Sequence, residues 1–283
     1  SSSNTSDQTL TVSVADVDEI SPTLSSSSPA DNATAVAVDS NIVLTFSEAV
    51  DVESGNILIK KSSDNSTVES IDVTSSQVTG SGSTQITINP SSDLDSSTQY
   101  YVQIPTTAFD DPSGNSYTGI SDTTSLSFTT ADVISPSITG PSGSAGDATS
   151  TKSINENTTA IHTFTANESV TWSLNGGADA SQFSINSSTG ALTFSSAPDY
   201  ESPTDSDSGN DYVVVVRATD SSSNTSDQTL TVSVADVDDT SASITGPSGS
   251  AGDSTSTKSI NENTTAIHTF SANETVTWTL NGG

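Results

Sequence analysis

Cysteine is missing from the sequence altogether. No disulfide can brace the fold, which leaves metal ions as the staples open to small extracellular domains. Methionine is missing too, and lysine and arginine together number five. So few cations exclude nucleic acid and anionic membrane as partners. Histidine occurs twice, at His162 and His268. The two are one position in two copies of a repeat, too sparse for a histidine-rich metal centre or a Ser-His-Asp triad. No G-x-S-x-G elbow exists. Carboxylates abound, but aromatics make up only 5% of the chain, so the deep aromatic cleft a glycosidase needs is not on offer. The chain reads as a non-enzyme. It contains no apolar run long enough for a transmembrane helix and nothing that resembles a signal peptide. It begins inside an alternating segment and is expected to be part of something longer.

What is present is acid. Asp and Glu number 35, giving a formal charge of −30. Such a surface repels itself, and bound divalent cations or plain acidic solubility both account for it. The acid concentrates at Ala235-Asp-Val-Asp-Asp239 and its twin Ala15-Asp-Val-Asp-Glu19, each following an alternating strand, Thr229–Val234 and Thr9–Val14. Carboxylates packed this closely repel unless a cation sits among them.

Repeats settle the organisation. Residues 1–18 are identical to 221–238, an offset of 220, and residues 137–177 match 243–283 at an offset of 106 with a few conservative changes. A period this long means a string of domains. The expected units are the closing strand and linker of one repeat (1–19), an unrelated insert (20–132), a whole repeat (133–239) and the opening of the next (240–283).

The insert carries short alternating strands at Ile42–Phe46, Ile57–Ile59, Gln85–Ile88, Tyr101–Ile104 and Leu126–Thr129, with no helical period. Seven or so strands in such a length predict a β-sandwich. Ser28-Pro-Ala-Asp-Asn32, Leu44-Thr-Phe-Ser-Glu48, Leu94-Asp-Ser-Ser-Thr-Gln-Tyr100, Gly114-Asn115 and Phe128-Thr-Thr130 resemble the bacterial Ig-like module of surface-layer and adhesin proteins. Tyr100 falls where a tyrosine corner would lie; a plain core tyrosine fits equally. Strand parity returns the loops Ser47–Asp51 and Asp110–Asn115 to the end facing the incoming linker. Asp16, Asp18, Glu48 and Asp111 are therefore candidate metal ligands, with a simple β-turn as the other reading of Asp111–Gly114.

In the full repeat, strands are expected at Ile161–Thr165, Ser169–Leu174, Gln182–Ile185, Ala191–Phe194, Tyr212–Ala218 and Gln228–Val234. The Gly/Ser-rich opening Gly140–Gly146 lacks the lysine and helix of a phosphate loop. Asn155-Glu-Asn157, Val170-Thr-Trp-Ser-Leu174, Phe183–Phe194, Asp199-Tyr-Glu201, Tyr212–Asp220 and Asp236–Asp239 together resemble a bacterial cadherin-like repeat. The resemblance implies calcium ligands at Glu156, at Asp199 and Glu201, and at Asp236, Asp238 and Asp239. Strand parity independently sends those three groups to the end where the chain leaves. Asp220, closing a strand at the other end, belongs beside Asp132 of the preceding linker. The family's Asp-x-Asp between the second and third strands is replaced by Asn167-Glu168, so one or two ions per joint are expected rather than three. Asp205–Asp211 imitates the opening of an EF-hand loop with its glycine one position early; a solvated acidic loop is the other reading. Trp172 and Trp278 are expected as core fillers.

The fold class predicted is all-β, a linear array of tandem Ig-like and cadherin-like sandwiches. The leading functional expectation is a structural or adhesive segment of a long extracellular bacterial surface protein, stiffened by calcium at its joints. Its partners would be calcium, neighbouring repeats, and copies of itself in a filament or sheath or else surface glycans and proteins. A glycan- or protein-binding module, or a stalk beside an enzyme domain, are the alternatives.

Overall fold

The computed structural model describes all residues except 4, 14–17 and 283. Its architecture is all-β; a three-residue 3-10 turn, Ala180–Gln182, is the lone helix among the described residues.

In the first domain, two sheets enclose one apolar core. One sheet runs Leu24–Ser28, Ile42–Val52, Ser83–Ile88, Val78–Thr79, with Phe109–Asp110 also paired to Ile42–Val52. The other runs Ala33–Val36, Ser127–Thr130, Gln99–Gln103, Asn56–Lys61, Thr67–Asp72. Pairing is antiparallel except between Ala33–Val36 and Ser127–Thr130, which are parallel. Alternation puts Ile42, Leu44 and Phe46 inward from one sheet, against Ile57, Ile59, Tyr100, Val102 and Phe128 from the other. Tyr100 is both core residue and corner, for its hydroxyl oxygen accepts the N–H of Asp95 at 2.9 Å.

One segment differs from expectation. Ser47–Asp51, read as a return loop, is strand: Ile42–Val52 continues through it, with a register shift between Thr45 and Val50. Val50 is buried, and Asp51 pairs with Asp110. The chain gains more by sinking Val50 and extending the ladder than by leaving the sheet. The irregularity re-aims Glu48 toward the domain end.

The second domain has a main sheet ordered Thr149–Asn155, Thr225–Ala235, Asp211–Thr219, Thr171–Leu174. Facing it are Ala160–Thr163, Ala191–Phe194 and Phe183–Ile185, with Ile138–Thr139 paired to Thr165–Ala166. Tyr212, Val214, Val216 and Ala218 alternate inward against Leu230, Val232, Phe183 and Phe194. Trp172 is core here, 6.0 Å from the ring of Phe164. Gly190 fits because a Cβ there would meet the Phe164 carbonyl at 2.6 Å, at a φ of 72°.

The flanking segments depart from the sequence pattern. Residues 9–13 form no strand, whereas their twins 229–233 are paired between two neighbouring strands, with Leu230 and Val232 buried. In 240–283, Ile244–Thr245 pairs with Ser271–Ala272, while Ile260, Ile267, Phe270, Trp278 and Leu280 stand exposed. Their equivalents in the full repeat are core or packed against it. The reason is context: a strand needs partners for its backbone groups and a facing sheet for its side chains.

Identical residues in two settings make a direct test. Leu230 is 0% exposed and its twin Leu10 is 83% exposed. Leu230→Ala should destabilise the second domain by about 2–5 kcal/mol, read as a shift in its denaturant midpoint. Leu10→Ala should leave that midpoint in place; equal shifts would contradict the assignment.

Candidate metal centres

Three carboxylate clusters form at domain ends, each offering oxygens that lie within 4.8 Å of one another: Asp18–Glu48–Asp111, Asp132–Glu168–Asp220 and Glu156–Glu201–Asp236.

The first is built on a turn. Asp111, 3% exposed, accepts the N–H groups of Ser113 (2.8 Å) and Asn115 (2.7 Å) on Oδ1 and the Asn115 side-chain amide (2.8 Å) on Oδ2. Gly114 N–H donates to the Asp111 carbonyl, closing the β-turn. Turn and ligand position are one structure. The Asn115 amide also donates to the backbone carbonyl of Asp18 at 2.9 Å, pinning the linker over the loop. These donors, the Asn115 side chain foremost, hold the Asp111 carboxyl below the usual aspartate range despite its burial. Glu48 moves the other way: burial, then the charges of Asp18 and Asp111, push its carboxyl up.

The second cluster repeats the device. Asp220 Oδ1 accepts the N–H groups of Ser222 and Asn224, each at 2.8 Å, and Oδ2 accepts the Asn224 amide at 2.8 Å. That amide also reaches the Asp132 carbonyl at 3.2 Å. Burial pushes the Asp220 carboxyl up, but the Asn224 and Ser222 donors prevail and hold it low. Asp132 Oδ1 in turn accepts the Ser96 hydroxyl and the Ile134 N–H, both at 3.1 Å. Glu168 completes the set. Sequence reasoning treated Asn167-Glu168 as a lost motif, yet Asn167 clamps Ser137 through its side chain at 2.6 Å and Glu168 supplies a carboxylate. The signal that could have found it was the carboxylate itself; the Asp-x-x-x-Asn spacing of 111–115 and 220–224 likewise marks Asn115 and Asn224.

The third cluster lies at the exit of the second domain. Glu156, 2% exposed, uses Oε2 for the Tyr200 N–H and Oε1 for the Val237 N–H, both at 2.8 Å. One side chain therefore ties the loop bearing Glu201 to the linker bearing Asp236. Glu201's own backbone N–H lowers its carboxyl, but burial and the charges of Glu156, Asp236 and Asp239 prevail and raise it. Asp199 is occupied in the turn, its Oδ1 accepting Glu201 and Ser202 N–H groups at 3.0 and 3.1 Å. Asp239 accepts the Asn157 amide at 2.8 Å.

Asp16 lies outside the described residues. Asp238, expected to share an ion with Glu156 and Glu201, is not among the residues brought together there. The repeat offsets supply the reason: Asp238 stands 106 residues after Asp132 and 220 after Asp18. Both equivalents face the domain that follows. In the following repeat, Glu274 is the counterpart of Glu168, and its Oε1 is buried with no hydrogen-bond partner among the described residues.

All donors in the clusters are oxygen. Among the described residues the salt bridges are Lys61–Asp95 and Arg217–Asp227, neither in a cluster. Hard oxygen sets without a protein cation suit calcium or magnesium better than zinc, which favours nitrogen and sulfur ligands.

A family model described as a bacterial Ig-like domain matches residues 18–130, and one described as a cadherin domain matches 149–235. No curated protein matches the chain. Among solved structures, CopC from Methylosinus trichosporium OB3b is 18% identical with a TM-score of 0.30, covering 40% of this chain and 96% of its own. The protocadherin gammaB7 EC3-6 cis-dimer is 15% identical with a TM-score of 0.38, covering 80% of this chain. Mouse cadherin-23 EC22-24 is 17% identical with a TM-score of 0.33, covering 73% of this chain. The chain spans 53% of that protocadherin and 63% of that cadherin-23. Domains of both kinds are typically non-catalytic. Residues 18–130 are thus similar to bacterial Ig-like domains and residues 149–235 to cadherin domains, set in tandem in one chain.

Proposed function

We propose that the three clusters hold calcium ions, and that the chain is a non-enzymatic, calcium-stiffened segment of a long extracellular surface protein. The observation that carries this reading is common to all three sites. Each joins one linker carboxylate to two carboxylates of a domain end, with no cationic side chain in the set. Merely solubilising acid would be spread over the surface. Here Asp111, Asp220 and Glu156 are buried and held by directed donors facing the linker. Ca²⁺ takes six to eight oxygens, so carboxylates, backbone carbonyls and water would share each ion. Bridging linker to domain, such an ion turns a repulsive hinge into a fixed joint. Extracellular modules of this type bind at about 10⁻⁴–10⁻³ M, a range that fills outside cells and empties in a cytosol. A stiffened string of domains suits projection of an adhesive tip or assembly into a filament or sheath.

Calorimetric calcium titration of the whole chain tests the reading. Asp236→Ala should weaken the site at Glu156 by about tenfold or more through loss of a charged ligand, and Asp238→Ala should leave that site unchanged. Calcium stoichiometry and affinity unaltered by Asp236→Ala would overturn the assignment.

The raised carboxyls give a second test. Glu48 and Glu201 hold protons above the ordinary glutamate value, so their ionisation costs the folded state as pH rises through the raised values. A bound cation reverses that shift and expels the proton. Calcium binding should therefore release protons at mildly acidic pH, where the raised glutamates still hold them, and release fewer as pH rises toward neutrality, measured by titration in buffers of different ionisation enthalpy. Absence of release across that range would contradict a calcium site at either glutamate.

A further inference from the structure

A fourth set of oxygens lies apart from the joints, in the loop 205–210 that leads into the strand Asp211–Thr219. Asp205 is 7% exposed, yet only half of its carboxylate is satisfied. Its Oδ2 accepts the Gly209 N–H at 2.8 Å, while Oδ1 is buried with no hydrogen-bond partner among the described residues. A buried, unpartnered carboxylate oxygen is costly to keep. Asp207 comes to the same donor, its Oδ1 accepting the Gly209 N–H at 3.0 Å. Two carboxylates sharing one N–H stand side by side, and neither takes part in a salt bridge among the described residues. Gly209 permits the approach, since a Cβ there would meet Asp207 Oδ1 at 2.9 Å. Asn210 adds a neutral oxygen. Its amide nitrogen donates to the Tyr200 carbonyl at 3.0 Å, and its Oδ1 is also buried without a partner among the described residues.

The unsatisfied atoms are all acceptors, and two of the three groups bear charge. Water could donate to either oxygen, but it would leave the repulsion between Asp205 and Asp207 in place. A hard cation removes both problems at once.

We propose that the loop 205–210 binds a divalent cation of the calcium type through Asp205 Oδ1, the Asp207 carboxylate and Asn210 Oδ1, as a site separate from the joints. The Asp-x-Asp opening matches that of an EF-hand loop. The left-handed turn an EF-hand gives to its sixth-position glycine is taken here by Asn210, at a φ of 62°. With few protein ligands and water completing the shell, affinity should fall in the weak range of about 10⁻⁴–10⁻³ M. Asn210 is tied to Tyr200, which lies between Asp199 and Glu201. An ion in this loop would therefore brace the turn that presents Glu201 to the exit joint. The site does not require that the joints bind calcium.

Calcium titration of the ¹⁵N-labelled full chain tests this, with Gly209 reporting the loop and Val237 and Asn224 reporting the joints. The Gly209 amide should shift saturably at millimolar calcium. Asp205→Asn should abolish the Gly209 shift while Asn224 still responds. Asp207→Asn, at an exposed position that spares folding, should weaken the loop site by about tenfold through loss of one charged ligand. A Gly209 amide that stays still while Val237 and Asn224 move, or an unchanged Gly209 titration in both variants, would overturn the site. Val237 and Asn224 staying still while Gly209 moves would instead overturn the joint reading and leave the loop site standing.

Discussion

Repulsion between like charges, held in place by directed hydrogen bonds, is the constraint on which the joints depend. Asp111 and Asp220 cannot swing away from their linkers, because three donors each fix them from behind. Glu156 is held by two backbone N–H groups from separate segments. At Asp111 and Asp220 these interactions stabilise the ionised form and buttress charge against charge. A surface that must only stay soluble gains nothing from such rigidity, whereas a cation site needs ligands fixed before the ion arrives.

The two domains differ in sheet order and match different family models, yet their entrance sites use the same part. An aspartate closes a turn, an asparagine four residues later satisfies it, and the asparagine's amide reaches a linker carbonyl. The third carboxylate then comes from whatever that end of the fold provides. In the Ig-like domain it is Glu48 on an irregular strand, and in the cadherin-like domain it is Glu168 beside a clamping Asn167. The linker itself is divided: Asp236 turns back to the domain it leaves, while Asp238 occupies the position that Asp132 and Asp18 give to the domain ahead. By repeat offset, one short acidic motif is thereby placed to address both neighbours.

Much of this was legible in the residues. Alternation located strands such as Ala191–Phe194 to the residue, because one buried face imposes a period of two. Strand parity, which needs only a count of chain reversals, sends the Asp18 linker and the Asp111 loop to one end; Glu48 joins them from within a strand, through a register shift that parity does not foresee. Other features were hidden for physical reasons. Ser47–Asp51 carries a serine, a glutamate and an aspartate around a single buried Val50, so its pattern does not declare a strand. Residues 9–13 carry a strand pattern identical to 229–233, and only the partner strands decide which copy folds. Glu168 is hidden because it stands where the family carries Asp-x-Asp, and its single carboxylate does not reproduce that pattern.

If cations cancel the fixed carboxylate repulsion, they hold the joints, and their removal frees them. Small-angle scattering of the chain in millimolar calcium and in excess chelator tests it most directly, with circular dichroism recorded on the same samples. The account predicts a stiff particle in calcium and a flexible, interdomain-disordered one in chelator, with most β-structure kept because the apolar cores lie away from the charges. An unchanged maximum dimension and unchanged flexibility would contradict it and leave the carboxylates as solvent decoration.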